Sequence, residues 1–276
     1  MANSINEAIK QINQVILGKE KETKLALCCL LAKGHLLIED LPGMGKTTLS
    51  HALASTLGLS YSRVQFTSDL LPSDITGISI FNQQKHEFTF HQGPIFNQVV
   101  LADEINRASP KTQSALLEAM EERQVSIDGN THKLPAPFFV IATQNPLHQS
   151  GTFPLPESQL DRFLMRITLG FPPLEAEKKM LDVRYSQEKT DLKAIIGQTM
   201  LEEIQQAVEQ VTAKEPVIDY ILRLVTLTRV SDDYPHALSP RATIALLKAA
   251  KAWAIIDNRD YVTHEDVQIV LPSVVE

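Results

Sequence analysis

Residues 36–48 read LLIEDLPGMGKTT: a short apolar run, a Pro/Gly turn, and then a lysine followed by two threonines. The apolar run predicts a buried strand, and the turn predicts a phosphate-binding loop that opens a helix. In such a loop the backbone N–H groups point at an anion, which the helix dipole also favours. The segment therefore predicts a nucleoside triphosphate site. The residues whose N–H groups we expect to converge on the phosphates are Gly43, Met44, Gly45, Lys46, Thr47 and Thr48.

Two side chains of this loop have the chemistry that a Mg²⁺–ATP site needs. Lys46 would reach the β- and γ-phosphates, and the hydroxyl of Thr47 would bind Mg²⁺. The general pattern G-x-x-x-x-G-K-[ST] is met only in part, because Asp40 stands where its first glycine would be. Taken alone, the segment also fits a plain Pro/Gly turn before an amphipathic helix.

A second segment, VVLADE at residues 99–104, supplies two carboxylates after an apolar run. A buried strand would deliver both at its carboxyl end, where open α/β sheets bind their ligands. Asp103 would bind Mg²⁺, and Glu104 would orient and deprotonate the attacking water. Taken alone, Asp103 and Glu104 could be a solvent-exposed pair of acids at the end of a strand. The two segments in this order predict an ATPase.

Composition excludes several other classes of protein. The chain has 276 residues, more than the usual domain of ~100–150 residues, so we expect two packed units. With 43% hydrophobic residues it can bury a core. A net charge of −7 is not the basic footprint of a nucleic-acid-binding protein. The longest apolar run, residues 25–32, is far shorter than the ~18 residues that span a bilayer. We expect a cytoplasmic protein without membrane insertion, and no spacing of histidines or cysteines predicts a transition-metal site.

Strand and helix patterns alternate along the first 171 residues, which predicts a parallel sheet covered by helices. We expect strands at 35–39, 63–66, 98–102, 138–143 and 165–169, and helices at 5–16, 46–57 and 110–122. After Phe171-Pro172-Pro173 the pattern is helical only, at about 174–186, 200–211, 216–231, 240–256 and 263–270. These prolines predict a boundary between a nucleotide-binding α/β domain, 1–171, and a helical domain, 172–276.

Two segments inside the α/β domain have the alternation of β-hairpins. In the first, 75–93, two short alternating stretches flank a polar turn. In the second, 123–134, the turn is Asp128-Gly129-Asn130, a strong hairpin signal. Both could be surface decorations or functional inserts.

Together, five stretches of this sequence resemble the MoxR family of AAA+ ATPases. The resemblance covers nearly the whole chain, and the second stretch is its most specific part. The stretches are PGMGKTT, LADEINRASPKTQSALLEAMEERQVSIDG, IATQNP, GTFPLPESQLDRF and LSPRA.

The resemblance implies a fold, an assembly and a kind of partner. The fold would be an AAA+ P-loop core with a five-stranded parallel sheet, two hairpin inserts and a C-terminal helical lid. Members of this family are ATP-driven, chaperone-like remodellers, often of proteins that carry von Willebrand factor A domains. As in other ring-forming AAA+ proteins, a homo-hexamer is implied.

The resemblance also assigns roles to four further residues. Asn145 matches sensor 1, whose amide would contact the attacking water or the γ-phosphate. Arg162 matches the arginine finger, which would reach a neighbouring subunit's γ-phosphate. Arg241 matches sensor 2, which would reach the phosphates of its own subunit, and Gly18 matches the N-terminal box beside the adenine.

Other interpretations of these residues stay open. Asn145 could be a turn residue before Pro146, and Arg162 or Arg241 could form surface ion pairs. Arg107 could act across a subunit interface, although a salt bridge at a helix start is the simpler interpretation.

Three functions are compatible with this site. The first is an ATPase that remodels a protein partner. The second is a nucleic-acid-dependent motor, because related hairpin inserts occur in DNA-acting AAA+ proteins; the acidic balance weighs against it. The third is a slow nucleotide switch that binds a partner without mechanical work.

Overall fold

The fold is centred on a five-stranded parallel sheet with the strand order β2-β5-β8-β1-β9. The computed structural model describes residues 2–84, 86–146, 151–182, 192–231 and 237–275. The sheet confirms the predicted α/β core. The strands are β1 Leu36–Glu39, β2 Tyr61–Gln65, β3 Gly77–Asn82, β4 Glu87–Gln92, β5 Val99–Asp103, β6 Gln124–Ile127, β7 Asn130–Lys133, β8 Phe139–Gln144 and β9 Met165–Ile167.

Helices cover both faces of the sheet and form the C-terminal third of the chain. Short 3₁₀ turns at Pro94–Phe96 and Ile105–Arg107 precede and follow β5. The helices are α1 Ala2–Val15, α2 Glu20–Leu31, α3 Lys46–Thr56, α4 Pro72–Thr76, α5 Pro110–Glu122, α6 Glu157–Leu160, α7 Leu174–Met180, α8 Gln198–Gln210, α9 Glu215–Val230, α10 Pro240–Ile256 and α11 His264–Val275.

Alternate residues of the central strands belong to two different hydrophobic clusters. Leu36 and Ile38 of β1 point into the cluster that contains α1, α2 and α3, whereas Leu37 points into the cluster that contains α5. Every residue of β5 is buried. A parallel sheet buried on both faces needs strands that are apolar throughout, which is what the sequence pattern predicted.

Both predicted hairpins form. Strands β3 and β4 pair antiparallel, as do β6 and β7, whose turn residues Asp128 and Gly129 have φ of 51° and 77°. Two positive φ angles are typical of the turn that closes a two-residue hairpin loop. The hairpins touch each other, since the rings of Phe90 and His132 stack with centroids 4.2 Å apart.

The described helices after residue 197 pack against one another, and α8 and α10 among them contact α2, on the side of the sheet away from α5. Leu30 of α2, Ile204 of α8 and Trp253 of α10 are buried in one continuous cluster. This cluster contains residues from both sides of the predicted domain boundary at residues 171–172. The division into two domains remains a prediction. Residues 183–186 of the predicted helix 174–186 lie outside the described residues.

The last helix continues past its predicted end. The sequence predicted an end near residue 270, yet α11 runs to Val275 with Pro272 inside it. Buried Val270 and Ser273 pack this end of α11 into the protein, which offsets the hydrogen bond that proline cannot donate. No helix in the described ranges is long and apolar enough to cross a membrane.

Candidate active site

The loop from β1 to α3 has the backbone of a phosphate cradle. Gly43 and Gly45 have φ of 85° and 89°, in the left-handed region that other residues rarely adopt. A Cβ at Gly43 would meet nothing within 4 Å. Gly45 directly precedes the helix and has no side chain to cap it, so the first N–H groups of α3 point towards the loop.

Lys46, the first residue of α3, points back across this loop. Its Nζ donates to the backbone oxygen of Asp40 and, at 3.1 Å, to that of Leu41. Burial lowers the pKa of Lys46, while the nearby carboxylates of Asp40, Asp103 and Glu104 act in the opposite direction. The ammonium group therefore lies within electrostatic reach of all three acids.

Asp103 ends β5 and is 7% exposed. Its Oδ1 accepts a hydrogen bond from Thr143 Oγ1 at 2.6 Å. Its Oδ2 accepts from Arg63 Nη2 at 2.7 Å and Nε at 3.1 Å. Neighbouring strands on either side thus hold the carboxylate at the carboxyl edge of the sheet.

Glu104 has a left-handed backbone, with φ 57° and ψ 49°. Such a conformation is uncommon for a residue other than glycine and concentrates at functional sites. Its N–H donates to Thr143 Oγ1 at 2.9 Å, and its Oε2 accepts from Gln65 Nε2 at 3.0 Å and Arg107 Nη1 at 2.8 Å. The simpler interpretation of Arg107, a local salt bridge, is confirmed.

Asn145 lies at the same edge, directly after β8. Its backbone oxygen accepts from Asn106 Nδ2 at 3.3 Å, just beyond the end of β5. The preceding residue, Gln144, pairs with Glu39 at the end of β1. Asn145 therefore lies between the strand that leads into the phosphate loop and the strand that carries Asp103.

Gly18 lies in the turn between α1 and α2, close to the phosphate loop. Its φ is 72°, and a Cβ there would come within 2.6 Å of Pro173 Cδ and 3.1 Å of Ala176 Cβ. Only glycine fits this contact. On the other side, Ile16 Cδ1 lies 3.6 Å from where a Cβ on Gly45 would be.

Arg162 and Arg241 meet at a single carboxylate. Arg162 Nη1 lies 2.9 Å from Glu121 Oε2, and Arg241 Nη2 lies 3.2 Å from Glu121 Oε1. Arg162 Nη1 also donates to the backbone oxygen of Leu117 at 2.7 Å. Both arginines are thus tied to the C-terminal part of α5.

This position corrects the expectation that Arg241 reaches the phosphates of its own subunit. Met120, next to Glu121, has its backbone oxygen 3.3 Å from His35 Nε2, and His35 directly precedes β1. The phosphate loop follows the other end of β1, about 13 Å away at ~3.3 Å per residue. Arg241 therefore lies with Arg162 at the amino edge of the sheet, because α5 runs back from the carboxyl edge to the amino edge.

Sequence reasoning missed three side chains of the carboxyl edge: Arg63, Gln65 and Thr143. Each contacts Asp103 or Glu104, but the three lie 39 or 40 positions away along the chain. Their only signal is strand order, since β2 and β8 flank β5 in the sheet. The sequence could have indicated these contacts only through a polar residue at the carboxyl end of a strand predicted to lie next to β5.

The residues present fit a magnesium nucleotide. Mg²⁺ prefers oxygen ligands and is usually held by one or two carboxylates together with water and phosphate. Asp103 offers a carboxylate and Thr47 a hydroxyl, which leaves the remaining positions to water and the nucleotide. The two left-handed glycines provide the cradle for the phosphates. Such a site belongs to a P-loop enzyme that hydrolyses ATP.

Known proteins agree with this class. Residues 35–165 match the family model described as "ATPase family associated with various cellular activities (AAA)", and residues 226–276 match "AAA lid domain". The chain is 39% identical to Chaperone MoxR1 of Mycobacterium tuberculosis over 99% of this chain and 74% of that protein. It is 48% identical to YeaC of Bacillus subtilis, an uncharacterized protein, over 97% of this chain and 84% of the relative.

A solved structure agrees as well. A protein from Cytophaga hutchinsonii, provisionally assigned as an ATPase, superposes with a TM-score of 0.90 at 40% identity, over 99% of this chain and 86% of that one. This chain belongs to the MoxR family of AAA+ ATPases.

Proposed function

We propose that this ATPase works as a ring, in the cytoplasm, and uses ATP hydrolysis to remodel a protein partner. The observation that carries the proposal is the division of charged residues between the two edges of the sheet. Lys46, Asp103 and Glu104 lie at the carboxyl edge, and Arg162 with Arg241 lie at the amino edge. The similarity to a protein named as a chaperone supports the choice of remodelling.

At the carboxyl edge we assign each residue one task. Lys46 and the N–H groups from Gly43 to Thr48 bind the β- and γ-phosphates. Glu104 takes the proton of the attacking water, and Asn145 orients that water. When bound, Mg²⁺ at Thr47 and Asp103 would neutralise charge on the phosphate oxygens.

Two hydrogen-bond donors occupy the carboxylate of Glu104 in this structure. Its carboxylate accepts hydrogen bonds from Gln65 and Arg107, and a carboxylate oxygen already engaged by two donors is not free to accept the proton of water. We infer that hydrolysis requires Glu104 to exchange these contacts for one with water.

At the amino edge the two arginines would act on a neighbouring subunit. A guanidinium supplied in trans stabilises the charge that develops on the γ-phosphate. Two arginines on one carboxylate form a cationic surface that a neighbour's triphosphate can contact in a closed ring. Gly18 would lie beside the adenine, and helices after residue 172 would form the lid that carries Arg241.

A mixing experiment tests the ring. Lys46→Ala and Arg162→Ala proteins should each be nearly inactive in ATP hydrolysis. In a random equimolar mixture about a quarter of the interfaces pair an intact loop with an intact arginine, so activity should return in part. Recovery with Lys46→Ala plus Arg241→Ala would assign Arg241 to the neighbour as well.

The control is Arg223→Ala, which removes an exposed arginine of α9 and should leave activity unchanged. Mixed rings are confirmed by native mass spectrometry. Absence of recovery in such rings would mean that the arginines act within their own subunit or not at all, and a monomer with full activity would refute the ring.

Partner remodelling is tested with Glu104→Gln, which should bind ATP and retain its partner. We propose a von Willebrand factor A domain protein as that partner, on the family resemblance. Purified partner should accelerate ATP turnover by the parent protein and emerge with altered protease sensitivity. Acceleration by DNA instead would favour the motor, and a single round of hydrolysis would favour the switch.

A further inference from the structure

Asp40 stands where the general phosphate-loop pattern has its first glycine, and the backbone there does not require glycine. Its φ is negative, while the left-handed positions of the loop are Gly43 and Gly45. Asp40 is nevertheless only 5% exposed, and among the residues that the structure describes no cationic group lies within hydrogen-bond distance of its carboxylate, which is unusual for a buried acid. A buried carboxylate needs a compensating set of donors.

Backbone N–H groups provide those donors. Asp40 Oδ1 accepts from Leu41 N at 2.7 Å, inside the loop, and Oδ2 accepts from Gly170 N at 2.5 Å, 130 residues further along the chain. Glycine at position 40 could make neither bond. The backbone of Asp40 adds two more links, because its N–H donates to Gln144 O at 3.1 Å and its oxygen accepts from Lys46 Nζ.

Gly170 belongs to the segment that leaves the sheet after β9 and leads into α7. The residues that follow Gly170 in this segment also contact other parts of the protein. Lys19 Nζ donates to Phe171 O at 2.7 Å, and Pro173 packs against Gly18. An unbroken series of contacts therefore runs from Lys46 through Asp40 and Gly170 to the start of α7.

We propose that Asp40 is a positioning residue that couples the phosphate loop to the segment Gly170–Pro173, so that nucleotide binding at the loop is transmitted to the start of α7. The coupling is direct, because the two N–H groups on one rigid carboxylate cannot move independently. Asp40 does not contact the phosphates; it acts through Lys46 and Leu41. The proposal requires ATP binding at the loop and is independent of the ring and of the partner.

Electrostatics gives the carboxylate a second effect on the loop. Burial lowers the pKa of Lys46, and Asp40 is the strongest of the three acids that oppose this. Asp40 therefore favours the protonated form of Lys46, which is the form that binds phosphate. Hydrogen bonds to charged groups are stronger than neutral ones, so the geometric effect of the substitution should also be large.

The test compares Asp40→Asn, which keeps one acceptor, with Asp40→Gly, which restores the general pattern and keeps none. We expect the KM for ATP to rise about tenfold or more in both, more in Asp40→Gly, with kcat unchanged. In hydrogen exchange, a non-hydrolysable ATP analogue should slow the peptide 169–176 of the parent protein. That response should disappear in both variants.

Asp266→Asn is the matched control, because Asp266 is also a buried carboxylate that accepts a backbone N–H, from Thr263 at 2.8 Å, but in the C-terminal helices. It should lower thermal stability and leave KM and the exchange response as in the parent. If Asp40→Asn and Asp40→Gly behave like this control, Asp40 is only a structural residue and the proposal is wrong.

Lys19→Met tests the far end of the series and decides the matter if the Asp40 variants do not fold. It removes the bond to Phe171 and leaves the loop intact. The Asp40–Gly170 bond remains in this variant, so we expect a parental KM and an exchange response that persists at residue 170 but is lost over residues 171–176. A parental response over residues 171–176 would show that the signal does not reach the start of α7 through Phe171.

Discussion

At the carboxyl edge of the sheet, Asp103 ends β5, Glu104 directly follows it, and Lys46 opens the helix after the loop that leaves β1. At the amino edge, Arg162 and Arg241 come from segments 79 residues apart and meet only because both pack on Glu121. Short sequence motifs describe the first edge well. The second edge depends on how the C-terminal helices pack, which no local pattern encodes.

The largest expected effect lies at the carboxyl edge and tests whether its residues divide the chemistry as proposed. Glu104→Gln should bind ATP at least as tightly as the parent and hydrolyse it at least ~10²-fold more slowly, because the general base is lost. Lys46→Ala should lose nucleotide binding itself. Steady-state turnover and fluorescent-nucleotide titration separate the two outcomes, and normal turnover by Glu104→Gln would remove Glu104 from the reaction.

Sequence was most informative where the signal is local. Helix α5 begins and ends at its predicted residues, Pro110 and Glu122, because Ser109 caps its start and Arg123 ends it with a left-handed backbone. The predicted loop has two left-handed glycines, and Asp103 ends its strand as expected. The roles of these residues stay predictions.

Elsewhere the sequence gives little guidance, because the contacts are set by tertiary packing. Gln65 reaches Glu104 only because β2 lies next to β5. The role of Asp40 depends on Gly170, 130 residues away. The family resemblance predicted that Arg241 lies at the phosphate loop, but a sequence motif does not determine which way a side chain points. The packing of α10 directs the side chain of Arg241 towards α5.

A second prediction concerns the stability of the amino edge. His35 is 8% exposed; its Nδ1 accepts from Val140 N at 2.9 Å, and its Nε2 lies 3.3 Å from Met120 O. Burial, more than the nearby Arg123, lowers its pKa from 6.5 to about 4. Nδ1 must stay unprotonated to accept the Val140 bond, so the folded protein holds this ring neutral.

The direction of the pH effect follows. In the unfolded chain His35 binds a proton below pH 6.5, whereas in the folded protein it does so only near pH 4. The contribution of neutral His35 to the free energy of unfolding is therefore complete above pH 6.5 and is lost as the pH falls towards 4. The loss should reach about 3 kcal/mol below pH 4, of which about 2 kcal/mol appears between pH 7.0 and pH 4.5. Urea unfolding at pH 7.0 and 4.5 measures it, with His35→Asn as the non-titrating control. Equal pH dependence in both proteins would contradict this role of His35.

The smallest effect, and the one that most directly sharpens the comparison of the two edges, is expected at Glu121. Its two carboxylate oxygens are divided between Arg162 and Arg241, with both ion pairs partly exposed. Exposed ion pairs contribute at most about 1 kcal/mol, so Glu121→Gln should change the free energy of unfolding little. Glu121 also competes with a neighbour's triphosphate for the same guanidinium groups. Removing its charge should therefore lower the protein concentration for half-maximal ATPase activity about twofold to fivefold.

Glu118→Gln is the control for this measurement, because Glu118 lies one helical turn earlier and lines the same cavity of about 320 Å³ beside Arg162. It should leave the concentration dependence as in the parent. A higher half-maximal concentration in Glu121→Gln would mean that the carboxylate orients the arginines for the neighbour and does not compete with it. A large loss of stability with unchanged concentration dependence would mean that the amino edge is structural, and the functional contrast between the two edges would then fail.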